Sequence, residues 1–221
     1  MSELKKAKYL GGIGAILSLV GLVGLVLFVL DKAFGFISVT FTFIYPCFLI
    51  SFIFGFVSLF WAVKQLSNIC RERNIFHNIV FATLMSVSGT IIAIIGTGWG
   101  LVSGFTIIGL FLFLTASIYL LKTLKEIGKA TRKKIFLWSA NIFLLSGILL
   151  VLMPLFLPFL GMMEEKLTGL LLLSVRFISF LLFPLFGPPL LWTSGFLLLA
   201  IAFFTLPENL LQKSSTEKKE V

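Results

Sequence analysis

The sequence predicts an all-α, polytopic transmembrane helix bundle of about six helices, and three observations carry that prediction. The chain of 221 residues is 59% hydrophobic and only 12% charged, with a mean hydropathy of +1.12. Charged residues make up about a quarter of an ordinary soluble domain. The apolar residues also fall in long runs such as Tyr9–Leu30, 22 residues without a charge, and about 20 apolar residues cross the ~30 Å hydrocarbon core. Finally, of the 18 Lys and Arg residues, all but Lys32, Lys166 and Arg176 fall in four stretches, Lys5–Lys8, Lys64–Arg73, Lys122–Lys134 and Lys213–Lys219. Every second gap between apolar runs is therefore basic, which is the positive-inside pattern of a membrane protein with alternating segments.

The elements follow in order. A first helix covers Tyr9–Leu30, followed by a short turn, Asp31–Phe36; its basic start resembles a signal peptide, but its length makes it an uncleaved span. A second covers Ile37–Val63, and the loop Lys64–Asn78 leads to a third, Ile79–Thr97. The Gly-rich turn Gly96–Gly100 opens a fourth, Leu101–Leu121, and the loop Lys122–Lys134 a fifth, Ile135–Leu157. Pro154 and Pro158 bend or close its far end, because proline removes a backbone donor. Beyond it, Leu167–Phe183 and Leu190–Leu206 could each span, with Pro184 and the Gly187-Pro188-Pro189 break between them. Two crossings would put the tail outside. One crossing plus an in-plane or re-entrant segment near 165–187 keeps it inside.

An internal repeat favours the second arrangement. Trp61…Lys64…Leu66 recurs as Tyr119…Lys122…Leu124, Arg73-Asn74-Ile75-Phe76 as Lys133-Lys134-Ile135-Phe136, and Ser88-Gly89 as Ser146-Gly147, at offsets of 58 to 60 residues. The unit is a helical hairpin that enters and leaves on the basic side. Three hairpins, 8–66, 73–124 and 133–206, make one transmembrane domain over 1–206, with an insertion near 162–187 and a polar cytoplasmic tail over 207–221. Both termini are then cytoplasmic and the chain is a multi-pass cell-membrane protein.

Small residues recur at steps of three and four: Gly11, Gly14, Ser18 and Gly21; Ser51, Gly55, Ser58 and Ala62; Ser86, Gly89, Ala93 and Gly96. In lipid such faces are helix-packing seams, because small residues let backbones approach. They fit packing within the chain, a homo-oligomer seam, or a narrow glycine-lined pore. Arg176 is the one charge deep in a candidate span, where an ionisable group costs at least ~2.5 kcal/mol. With Glu165, Thr168, Leu172 and Ser179 it forms a mostly polar stripe, which favours a helix lying in the interface with Arg176 on lipid phosphates over one turned inward to an anion. Lys122, Lys125, Lys129, Arg132 and Lys133 form a second candidate contact for anionic lipid.

No constellation points to catalysis, a cofactor or a metal. His77 stands alone, without ligands at metal spacing. Asp31 is the single aspartate, Glu164 and Glu165 are neighbours that point apart on a helix, and no acid–base pair forms in the sequence. The Gly96–Gly104 cluster joins two apolar helices and has no following lysine, so it is no phosphate-binding loop. Cys47 and Cys70 lie at different depths and read as plain thiols. The net charge of +9 is juxtamembrane, so its partner is anionic lipid headgroups and not nucleic acid.

The N-terminal run Leu4-Lys5-Lys6-Ala7-Lys8-Tyr9-Leu10-Gly11-Gly12-Ile13-Gly14 resembles the opening of an archaeal integral-membrane family, domain of unknown function 996. Arg71–Asn78 is similar to the short polar run, ending in Ile-Phe-x-Asn, that precedes that family's middle helices, and Leu197–Phe204 resembles its last helix. The chain departs from the family at Lys129–Lys134 and at residues 162–187. The resemblance implies an archaeal multi-helix membrane protein and brings no activity. The expectation is a non-enzymatic structural or interaction component that contacts lipids and a second copy or another membrane protein. A small channel or permease for an ion, anion or lipid-like solute is the alternative, and a lipid-modifying interfacial enzyme a third.

Overall fold

The computed structural model describes residues 3–34, 45–98, 104–164 and 183–207. These form six helices: α1 (Glu3–Phe34), α2 (Tyr45–Cys70), α3 (Arg73–Gly98), α4 (Gly104–Thr131), α5 (Lys134–Glu164) and α6 (Phe183–Phe204). The described residues contain no strand, and all six helices are long and apolar enough to cross a membrane. Helix is what such runs must form in hydrocarbon, where every backbone polar group needs an internal partner. Large apolar side chains also cover the outside of the bundle, among them Phe54, Val57, Leu84, Phe111 and Leu190. A water-soluble helix would place polar residues there.

The helices extend past the expected boundaries. The stretch 64–78 is not a loop: α2 continues to Cys70 and α3 starts at Arg73. Likewise most of Lys122–Lys134 is the last turns of α4. Hydropathy stops a span at its first lysine, whereas the helix stops only where its packing face stops. Leu66, Ile75, Ile127 and Phe136 are all 0% exposed and carry that face beyond the lysines. The helix α5 runs on past Leu157 to Glu164, through Pro154 and Pro158. Gly187-Pro188-Pro189 is no break either, since both prolines lie inside α6. Of the expected segment near 165–187, residues 165–182, including Arg176, lie outside the described residues.

Helix pairs run antiparallel, and the six form a closed ring in chain order. The hairpins α1–α2 and α3–α4 pack most extensively; α4–α5, α5–α6 and α6–α1 follow, and α2–α3 touch least. The ring closes where Lys8 Nζ donates to the Leu206 carbonyl at 3.4 Å and Gly11 lies against the Phe203 ring. Inside, aromatic pairs fill the space between α5 and α6: Phe136–Phe203 at 5.4 Å and Phe143–Phe196 at 5.1 Å, both edge-on. Edge-to-face pairs at such spacing add about 1 kcal/mol beyond their burial.

The α2–α3 and α4–α5 turns have one geometry. Arg71 and Arg132 adopt positive φ, 56° and 55°. The Arg71 and Glu72 amides donate to the Asn68 and Ser67 carbonyls at 3.3 and 3.1 Å; those of Arg132 and Lys133 donate to Lys129 and Gly128 at 3.2 and 3.0 Å. This is the Schellman helix end, which usually has glycine at the left-handed position. The turns stand 61 residues apart, matching Ile75 to Phe136 and Leu66 to Ile127, all four fully buried. The sequence pairing of Ile75-Phe76 with Ile135-Phe136 is therefore one residue out of register. Ser88 and Ser146 do not correspond, since Ser88 is exposed and Ser146 buried.

Candidate functional site: the basic end

One end of the ring collects the amino ends of α1, α3 and α5 and the carboxyl ends of α2, α4 and α6. It bears Lys5, Lys6, Lys8, Lys64, Arg71, Arg73, Lys122, Lys125, Lys129, Arg132, Lys133 and Lys134, with Glu3, Glu72 and Glu126 as its acids. Within about a turn toward the apolar side lie Tyr9, Trp61, Tyr119 and Trp138, an aromatic belt of the kind found at membrane–water interfaces. Lys64 Nζ stands 5.1 Å from the Trp61 ring centroid and 5.8 Å from that of Phe76, and Lys122 Nζ 5.1 Å from that of Tyr119. These lysines lay their stems and charges on rings.

The acids are largely engaged. Glu3 pairs with Lys6 at 3.0 Å. Glu126 turns toward α3 and accepts from Asn78 Nδ2 at 3.3 Å. Lys122, Lys125 and Lys129 are exposed on one face of α4, and none has a carboxylate partner among the described residues. Arg132 is exposed in the turn and Lys133 half-buried beside it, so neither continues the α4 row. His77 is exposed one turn into α3, and no cluster of metal-binding side chains occurs among the described residues.

The small-residue faces are used inside the chain. A Cβ on Gly14 would stand 2.8 Å from the Gly55 carbonyl oxygen, and one on Gly55 would meet the Ser18 backbone nitrogen and, at 2.6 Å, its Oγ. Gly21 faces Phe48 and Phe52 of α2, and Gly11 faces α6. Ser51 Oγ donates to the Leu17 carbonyl at 3.1 Å, Ser58 lies against Gly14, and Ala62 is fully buried. On α3, a Cβ on Gly89 would stand 2.8 Å from the Gly109 carbonyl oxygen of α4, while the half-buried Ser86 accepts from Thr90 through its carbonyl. The surroundings of Ala93 and Gly96 lie outside the described residues. None of the described glycines in these seams lines an open pore.

Sequence reasoning missed the buried hydroxyls of α5. Ser139 Oγ donates to the Gly195 carbonyl at 2.9 Å and Ser146 Oγ to the Pro188 carbonyl at 3.1 Å, tying α5 to α6. Their spacing of seven residues on a mostly apolar helix is the available signal. The centre of the ring holds a cavity of about 70 Å³ whose lining includes Phe56, Phe60, Phe143, Phe196 and Phe203 and no polar side chain. Water needs two to four polar partners to occupy a cavity, and this one supplies none from its side chains. Toward the basic end the interior is closed by Leu66, Ile75, Ile127, Phe136, Phe203 and Leu206, each at most 2% exposed.

The geometry thus offers a charged rim, an aromatic belt and an apolar interior. No protein-family model, curated protein or solved structure matches the chain.

Proposed function

We propose that this chain is a non-enzymatic structural or interaction component of the cell membrane, with the basic end and both termini cytoplasmic. The observation that supports it is the apolar interior of the ring: its small central cavity is lined by phenylalanines and aliphatic side chains, and its basic end is closed by buried apolar side chains. A permeation path needs polar or backbone groups to replace an ion's hydration. Orientation follows from the rim, since cytoplasmic loops carry the excess of Lys and Arg and anionic headgroups supply the counter-charge. The resemblance to the archaeal family 996 belongs to the same proposal and adds a membrane location only.

Two measurements test it. A cysteine placed at the C-terminus of a variant otherwise free of cysteine should react with a membrane-impermeant maleimide only after the cells are permeabilised. In proteoliposomes the purified chain should release neither small ions nor uncharged solutes above the empty-vesicle rate. Labelling in intact cells overturns the orientation, and reproducible flux overturns the structural reading.

A further inference from the structure

We infer that the outer face of α4 and the adjoining edge of α5 bind the headgroup of an anionic phospholipid. Lys122, Lys125 and Lys129 supply the charge and Asn141 a hydrogen bond. The inference deepens the membrane reading above and rests on it.

The depth of these residues comes from two contacts between the antiparallel helices. A Cβ on Gly128 would lie 3.5 Å from the Phe136 Cβ, and one on Gly147 would lie 3.0 Å from the Ser117 Cβ. Interpolating between them sets Lys125 level with Ser139 and Lys122 level with Ile142. Lys122 therefore lies about 14 Å along the bundle from the turn, nine residues before the end of α4 at a rise of 1.5 Å per residue. The row from Lys129 to Lys122 runs from the rim down through the level of the aromatic belt. The α2–α3 pair has only Lys64 at the corresponding place, because Trp61 and Asn68 stand where α4 has Lys122 and Lys129.

Two further observations make the row a site. Its nearest acid, Glu126, faces α3 and accepts from Asn78, so it makes no ion pair with these lysines among the described residues. On the adjoining helix α5 Asn141 is exposed, and its carboxamide, which offers two donors and an acceptor, makes no hydrogen bond among the described residues. It is the one exposed carboxamide among the described residues that sits at the belt and not at a helix end. A phospholipid phosphate accepts from ammonium groups, and its glycerol and ester oxygens lie just below, where an amide can reach them. One headgroup answers both unmet requirements.

The test uses the full chain in nanodiscs of phosphatidylcholine carrying a titrated fraction of spin-labelled phosphatidylglycerol, with lipid association read by electron paramagnetic resonance. Each lysine near an anionic surface strengthens binding about fivefold. The Lys122→Gln/Lys125→Gln variant should therefore weaken phosphatidylglycerol association by about 25-fold. The charge-matched Lys64→Gln/Arg73→Gln variant should change it less than threefold. Asn141→Ala should weaken it about threefold with no change in net charge. Equal losses in the two charge-matched variants mean diffuse attraction and overturn the site, as does a wild-type chain that does not prefer phosphatidylglycerol. Full competition by 10 mM inorganic phosphate makes this a free-anion site and overturns the lipid assignment. Failure to enter the nanodisc, or extraction from cell membranes by alkaline carbonate, sinks the membrane reading itself and is a separate outcome.

Discussion

Replacing Gly55 by alanine tests the packing of the ring at its closest helix pair. The added methyl would meet the Ser18 backbone nitrogen, the Ser18 Oγ at 2.6 Å and the Gly14 carbonyl oxygen at 2.7 Å. Two of these three are backbone and cannot rotate away. Regaining an ordinary contact of 3.4 Å with the nearest of these atoms requires α1 and α2 to part by about 1 Å. One turn earlier on the same face, the Ser51 hydroxyl reaches the Leu17 carbonyl at 3.1 Å. The same separation would stretch that bond beyond hydrogen-bonding range. Overpacking costs about 1–3 kcal/mol and the lost hydrogen bond about 1 kcal/mol. Better alanine propensity returns less than 1 kcal/mol. Gly55→Ala should therefore destabilise by about 2–3 kcal/mol in reversible SDS unfolding from mixed micelles. Gly187→Ala is the internal control, because nothing lies within 4 Å of its added methyl; it should be neutral or stabilising by up to ~1 kcal/mol. Equal effects of the two substitutions would refute the close α1–α2 approach.

Other outcomes follow from single contacts. Arg71→Gly should stabilise by about 1 kcal/mol in the same assay, because an L side chain at positive φ carries a steric cost that glycine lacks; Arg71→Val should destabilise by a similar amount. Ser139→Ala should cost about 0.6–1.7 kcal/mol through its lost bond to the Gly195 carbonyl. Ser18→Ala should be neutral or slightly stabilising, since the Ser18 Oγ is buried without a hydrogen-bond partner. Phe136→Ala should cost about 3 kcal/mol, because it empties a fully buried site against Phe203.

The number and type of helices were legible because hydropathy and charge alternation are strong, one-dimensional signals. Helix ends were not, and the two basic turns show why. Lysine and arginine mark the limit of the hydrocarbon, but Leu66, Ile75, Ile127 and Phe136 keep packing beyond it and hold the backbone helical up to two-residue turns. Burial and residue type also give different registers for the two turns: Ile75 matches Ile135 in type, whereas the fully buried position after the second turn is Phe136. Arginine at the left-handed position also hid the turns, since the usual glycine signal is missing. At the candidate site, the lysines of α4 were visible in the sequence. Asn141 was not, because only the ring shows that it faces outward without a partner.

Closure of the ring by α6 against α1 has a consequence for biosynthesis. The Gly11–Gly12 face of the first helix is complementary to Phe203 and Phe204 of the last, so its partner emerges almost 200 residues later. At about 5–20 residues per second this is an interval of roughly 10–40 s. During it, α1 and α2 can already zip together through Gly14, Gly21 and Gly55, but the other edge of α1 has only lipid, or the insertion machinery, against it. Truncation within α6 would leave that edge permanently open, and degradation of such chains would report the last step of assembly.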